Sequence, residues 1–320
     1  MTTIDPTTLH ARLDEILPTV QSPSRYLGLE RNLTRKPWDS TVLRVALAFP
    51  DAYEIGMSHQ GTRILYHLVN RRDDALAERT FAPMPDMARA LRAAEIPLYT
   101  LESYHSVGDF DVVGISLQSE LNYINVPYIL DLAGITRRAD ERSESEPLII
   151  GGGPCTANAE PVADFFDAIL IGDAEAALDT MLNAIRDGRA AGEDRTRLLH
   201  RLASIEGVYV PRFYTWVPAT SDRPGSWVEP EGVPFPVKRV WVDRLDLADQ
   251  PDVPIVPFAG VIQDRLGLEI MRGCTQGCRF CQAGYWYRPV REHDPAKVVE
   301  RVEKQIDETG FEEVGLLSLS

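Results

Sequence analysis

The sequence predicts an α/β protein: a doubly wound parallel five-stranded sheet, then a proline-rich connector, then a further βαβ unit. Three observations predict it. Apolar runs of strand length alternate with helical periodicity from about residue 42 to 185. Nine prolines fall between Pro211 and Pro257. Three of the four cysteines, Cys274, Cys278 and Cys281, crowd into one stretch between a strand-like run and a helical one.

Residues 1–40 read as a lead. Leu9, Leu13, Ile16 and Leu17 share one face of a short amphipathic helix, which Pro18 and Pro23 end. The mixed-charge run that follows reads as an arm packed on a neighbouring domain.

Residues 41–188 carry the alternation. The expected strands are 42–49, 97–100, 112–117, 147–152 and 168–171. Between them, Ile64, Leu65, Leu68 and Val69 share a helix face, and so do Met87, Ala90, Leu91 and Ala94. Another helix is expected around 121–133. The last is the clearest, with Ala174, Ala177, Leu178, Met181, Leu182 and Ile185 following the i, i+3, i+4, i+7 pattern. Strands alternating with helices imply a parallel sheet covered on both faces, with right-handed crossovers. Such sheets bind ligands at the carboxyl ends of their strands. The loops there are PDAYEIGMSHQG after the first strand, SLQSELNY after the third, GGGPCTANAEP after the fourth and GDAE after the fifth. Their glycines let a large ligand approach the backbone.

Residues 189–260 form a connector or small β-subdomain, with a short helix around 195–203 and strands within GVYVPRFYTWV and VKRVWVDRL. Trp216, Trp227 and Trp241 read as a small core or an interdomain contact.

Residues 261–320 begin a second domain. LGLEIM delivers the cysteine loop, a helix spans 295–309, and EVGLLSLS is the next strand. Gly273 and Gly277 give the loop backbone freedom. A four-iron cluster has four corners, normally held by four thiolates. Three cysteines spaced C-x3-C-x2-C leave one iron open. A zinc knuckle completed by His293 or a distant residue is the competing account.

The spacing, with Phe280 before the last cysteine, resembles the radical SAM superfamily. The resemblance implies a [4Fe-4S] cluster on Cys274, Cys278 and Cys281. It also implies S-adenosylmethionine on the open iron beside Phe280, and reductive cleavage to a 5'-deoxyadenosyl radical. A reductant such as flavodoxin or ferredoxin is the implied partner. The strand-end loops resemble those of cobalamin-binding domains. Asp51 and Gly56 match at the family spacing, but Tyr53 stands where that family has its cobalt-ligating histidine. Ser116, Gly151 and Gly152 also match, and Gly153 and Gly172 extend the same rim. Tyrosine is a poor substitute for imidazole, so a bound cobalamin is expected to lack a lower ligand from the protein. His59 is expected at a helix start and is not taken as a replacement. Cys155 is expected to be a packed residue rather than a ligand.

The domain order is similar to radical SAM proteins with an N-terminal cobalamin-binding-like domain, in an uncharacterised bacterial branch. In that family the barrel continues for several more βα units, so the chain reads as the front of a longer protein, with a radical SAM core too incomplete for turnover alone. Three functions follow: a radical SAM enzyme using cobalamin for methyl transfer, one whose N-terminal domain serves recognition only, or a non-catalytic metal-binding assembly protein. A formal charge of −15 gives nucleic-acid or membrane binding no support. Few cysteines, a polar N-terminus and no bilayer-length apolar run suit a reducing cytoplasm.

Overall fold

A computed structural model describes residues 4–319. Helix α1 (Pro6–Ile16) is capped by Asp5, whose carboxylate accepts the Thr8 N–H, and buries Leu9 and Leu13. The chain then enters a six-stranded sheet. Its strands are β1 (Leu43–Phe49), β2 (Ala75–Phe81), β3 (Val112–Ser116), β4 (Leu148–Gly152), β5 (Ala168–Leu170) and β6 (Val208–Tyr209). The spatial order is β2-β1-β3-β4-β5-β6. All neighbours are parallel except β5 and β6, which are antiparallel. The short helix α2 (Tyr53–Gly56) and α3 (Gln60–Asn70) follow β1; α4 (Pro85–Ala93) follows β2; α5 (Asn125–Leu132) follows β3. Helices α6 (Leu178–Ala190) and α7 (Arg195–Ala203) lie between β5 and β6.

Period-two alternation puts neighbouring residues of β1 into different cores. Val45, Leu47 and Phe49 join Tyr66 and Val69 of α3 and Met181 and Ile185 of α6. Ala46 and Ala48 join Val126, Ile129 and Leu130 of α5.

Two corrections apply to the expected sheet. It has six strands, and its second strand is 75–81 rather than 97–100. The sequence ALAERTF hides that strand, because Glu78 and Arg79 sit at its centre although all seven residues are buried. Each charge is met inside the protein. Arg79 Nε donates to Glu102 at 2.6 Å, and its Nη2 lies 3.3 Å from Glu30. Glu78 accepts from the Thr100 and Ser103 hydroxyls at 2.5 and 2.6 Å. The run 97–100 instead lies along the outer edge of β2: Thr80 Oγ1 donates to Tyr99 O, and Leu101 N–H to Arg79 O. It covers an edge that would otherwise be open to pairing.

The connector holds one antiparallel hairpin, β7 (Thr215–Val217) with β8 (Ser226–Val228), where Trp216 and Trp227 meet edge to face at 5.3 Å. The expected strand 237–245 reduces to one parallel bridge between Gly172 and Val240. Beyond it come β9 (Leu266–Glu269), β10 (Met271–Arg272), α8 (Gln282–Trp286), β11 (Arg291–Glu292), α9 (Pro295–Thr309) and β12 (Val314–Leu317). β12 pairs parallel with β9, and β10 antiparallel with β11. Leu268 and Val298 share a small core with Leu247 of the connector. Among the described residues, no helix is long and apolar enough to cross a membrane.

Candidate functional site

A cavity of about 550 Å³ lies where the carboxyl edge of the sheet meets the helix that follows the cysteine loop. Its deep end is apolar, between Val45 and Leu47 of β1, Ile64 of α3 and Leu182 of α6. Its rim carries Ser116, Gly151, Gly152, Gly153 and Gly172. Gln282, Ala283 and Trp286 of α8, with Tyr287, form the opposite wall. Burial pushes the Tyr287 phenol up to about 12, so it stays protonated.

The rim glycines differ in what they do. A Cβ on Gly152 would meet nothing within 4 Å, so this position opens directly into the cavity. Gly153 has φ +105°, in the region L side chains avoid, and turns the chain beside Leu117. Gly172 has φ +126°, and a Cβ there would come within 1.9 Å of Val240 O. Its first role is to let the connector lie against β5.

Three expected rim residues are not brought to the cavity. Tyr53 is 2% exposed and turned into the core. Its hydroxyl donates to Glu30 at 2.7 Å and accepts the Phe258 N–H at 3.3 Å. Asp51 accepts from the Ala52 N–H and the Asn122 amide, both at 2.7 Å, so it braces two loops. Gly56 is fixed by packing, since a Cβ would stand 2.3 Å from the Phe81 ring. Tyr53, expected at the cobalamin-like rim, is therefore placed in the core on Glu30 instead.

His59 lines the cavity instead. It caps α3, its Nδ1 accepting the Thr62 N–H at 3.1 Å. Burial drives its pKa down to about 4. The neutral ring then carries its proton on Nε2, which faces Gln118 Oε1 at 3.0 Å. Both nitrogens are committed, and neither offers a lone pair to a metal.

The cysteine loop runs from β10 to α8. Gly273 has φ +95° with three backbone atoms of the 287–290 segment within 2.9 Å of its would-be Cβ, and Gly277 has φ +65°. Cys274 is buried, Cys281 half-buried and Cys278 exposed. The Gln276 N–H points at Cys274 Sγ (3.5 Å) and the Gly284 N–H at Cys281 Sγ (3.4 Å). Such donors stabilise thiolate ligands, so the loop suits a cluster by its donor chemistry. Its three thiols stand apart: among the described residues no three His, Cys, Asp or Glu side chains are gathered closely enough to hold a metal ion. His293 is buried and paired with Gln250 at 3.0 Å. Phe280 is 93% exposed and stands away from the cavity. Cys155 is buried in the core, its thiol pushed up to about 11 by burial.

An ion network that sequence reasoning missed joins the two sides. Arg272, the residue before Gly273, reaches Glu269 and Glu175 at 2.8 Å and Asp173 at 3.3 Å. Arg291 donates to the same Asp173 and to Val242 O. Asp173 and Glu175 come from the GDAE loop after β5. The sequence flagged that loop for its glycine; its carboxylates make the contact.

A model of the family "Radical SAM proteins, N-terminal" matches residues 61–211. An uncharacterized protein of Methanocaldococcus jannaschii is 26% identical over 253 residues, which are 78% of this chain and 43% of that one. The anaerobic magnesium-protoporphyrin IX monomethyl ester cyclase of Cereibacter sphaeroides is 35% identical over 74 residues, 22% of this chain and 11% of that one. The chain thus spans less than half the length of these curated relatives. The radical S-adenosylmethionine methyltransferase TsrM of Kitasatospora setae, solved with cobalamin and a [4Fe-4S] cluster bound, superposes with TM-score 0.51 at 15% identity. That superposition covers 87% of this chain and 49% of that one, and at this identity it shows a shared fold. The family match makes residues 61–211 the N-terminal region of a radical SAM protein, and the superposition shows that the chain shares its fold with TsrM.

Proposed function

We propose that the chain is the cofactor-holding part of a radical SAM enzyme that uses cobalamin, with methyl transfer as its reaction. One observation carries the reading: a single cavity is walled on one side by the strand-end glycine loops and on the other by the helix that begins directly after Cys281. In this reading residues 41–188 and 261–320 act as two domains, with 189–260 as the connector that seats one on the other.

Cys274, Cys278 and Cys281 would hold three irons of a [4Fe-4S] cluster, leaving the fourth for S-adenosylmethionine. Gly152 and its neighbours would admit a corrin to the rim, and the apolar slot below would take its nucleotide tail. Bound there, the cluster supplies reductive cleavage of the sulfonium and the cobalamin supplies a methyl-carrying cobalt. The chain's own part is placement. Arg272 and Arg291 fix the loop against the GDAE carboxylates. Trp286 and Tyr287 close the cavity on the cysteine side. His59, with both nitrogens engaged, would not serve as a ligand to a bound cobalt. A low-potential protein such as flavodoxin or ferredoxin fits as electron donor.

Titration with hydroxocobalamin tests this, followed by electron paramagnetic resonance of the Co(II) form. Saturable binding without nitrogen superhyperfine splitting from the protein is expected. Splitting from a protein nitrogen would contradict the His59 argument. Failure to bind would favour the second reading, a radical SAM enzyme whose N-terminal domain serves recognition only. That reading draws on Asp51, Tyr53 and Gly56 all being committed elsewhere.

A further inference from the structure

A second cavity, of about 150 Å³, lies between α3 and connector residues 251–255. Arg63, His67 and Arg71 contribute to it from α3 and its C-cap, with Asn32 and Thr34 from the N-terminal arm. No aspartate or glutamate lines it. The chain as a whole has 48 acidic against 33 basic residues, so a cavity lined without carboxylates runs against its composition.

Arg63 makes the case. It is 8% exposed. Its Nε and Nη2 both donate to Met57 O, at 3.2 and 2.7 Å. Among the described residues no carboxylate pairs with it, and no hydrogen bond is formed by its Nη1. The charge that acts on it is another cation, Arg79, which Glu30 and Glu102 already neutralise. Burial, and then Arg79, push its pKa down to about 10, which still leaves it charged at neutral pH. A buried cation without a counter-charge is costly. At the rim, Arg71 is held by Asp249 at 2.9 Å and by Asp179 at 3.5 Å, so it does not serve as the counterpart of a second buried charge.

The geometry points to this cavity as a binding site for one small oxyanion of the phosphate class, free or as a phosphomonoester head, held by the open edge of the Arg63 guanidinium. The volume admits such a group and excludes a nucleotide. A planar fork presenting paired N–H donors suits a phosphate oxygen better than a halide. The anion would bridge α3, whose N-cap is His59 in the main cavity, to the connector that reaches the cysteine loop. This inference does not depend on cobalamin or cluster chemistry.

Isothermal titration of the full chain with inorganic phosphate, at ionic strength held constant with sodium chloride, tests it. One saturable site per chain is expected. Arg63→Gln should weaken it about tenfold or more. Arg63→Lys, which keeps the charge but loses the fork, should weaken it less. Arg71→Ala, a surface change that leaves the core intact, should weaken it a few-fold by opening the rim. Titration with glycerol phosphate separates the two sources: competition with phosphate assigns a phosphomonoester head, and no competition assigns the free anion. No saturable heat above the chloride control would overturn the proposal. So would phosphate binding that Arg63→Lys and Arg71→Ala both leave unchanged, even if Arg63→Gln fails to fold.

Discussion

Replacing Arg272 by methionine is the sharpest perturbation of how the two sides of the main cavity are joined. The guanidinium reaches Glu269, Glu175 and Asp173, and none of these four side chains is more than 17% exposed. Methionine keeps most of the stem and removes the charge. Glu175 and Glu269 are then left without their partner, while Asp173 keeps Arg291. Removing one partner of a buried ion pair costs about 3–5 kcal/mol. Because one of the three carboxylates stays compensated, the lower end applies, about 3 kcal/mol, or roughly a hundredfold in the folded-to-unfolded ratio. Urea unfolding followed by tryptophan fluorescence measures it, and limited proteolysis within 210–260 reports whether the connector loosens first. The loss should change little with added salt, since buried pairs are poorly screened. A loss below about 1 kcal/mol, the range of exposed pairs, would refute the view that this network seats the cysteine loop.

Two further outcomes follow from single positions. Gly152→Leu places a side chain where a Cβ meets nothing. It should therefore leave the melting temperature nearly unchanged while weakening hydroxocobalamin binding at least about tenfold; unchanged affinity would remove Gly152 from the site. Burial, reinforced by Glu102, raises the Glu78 carboxyl to about 7 from 4.5. Between those values the unfolded chain ionises Glu78 while the folded chain keeps the proton, so its contribution to stability falls as pH rises. Glu78→Gln removes that slope, and the stability difference between variant and parent should move in the variant's favour from about pH 4.5 to pH 7. His59 and His105, whose pKa values burial lowers to about 4, slope the other way but cancel in the difference. Parallel pH profiles would contradict the burial argument.

The helices and most strands were legible because their periodicity is written in apolar residues. Leu178–Ala190, Arg195–Ala203 and Pro295–Thr309 carry one apolar face each. Strand 75–81 was not legible, because Glu78 and Arg79 are compensated by Glu30, Thr100, Glu102 and Ser103, partners up to 49 residues away. The same limit governs the site. Gly151, Gly152 and Ser116 reach the cavity because strand ends set their position. Tyr53, just beyond a strand end, turns inward to Glu30, which local spacing does not foretell. His59 shows the converse: the sequence placed it at the helix start, but its approach to Gln118 depends on the β1–β3 pairing. In the GDAE loop, the glycine was the visible signal and the two carboxylates the missed one. Acidic residues shortly past a Gly at a strand end, with an arginine just before a cysteine motif, would have been the clue.

The cluster itself is tested most directly by anaerobic reconstitution of the full chain with iron and sulfide. Metal analysis and electron paramagnetic resonance of the reduced protein follow, with and without S-adenosylmethionine. The account predicts about four irons per chain, and a reduced-cluster signal that changes shape when S-adenosylmethionine is added. Both should be lost in Cys274→Ala, Cys278→Ala and Cys281→Ala and retained in Cys155→Ala. Stoichiometric zinc with no iron, or a cluster that survives Cys278→Ala, would contradict it.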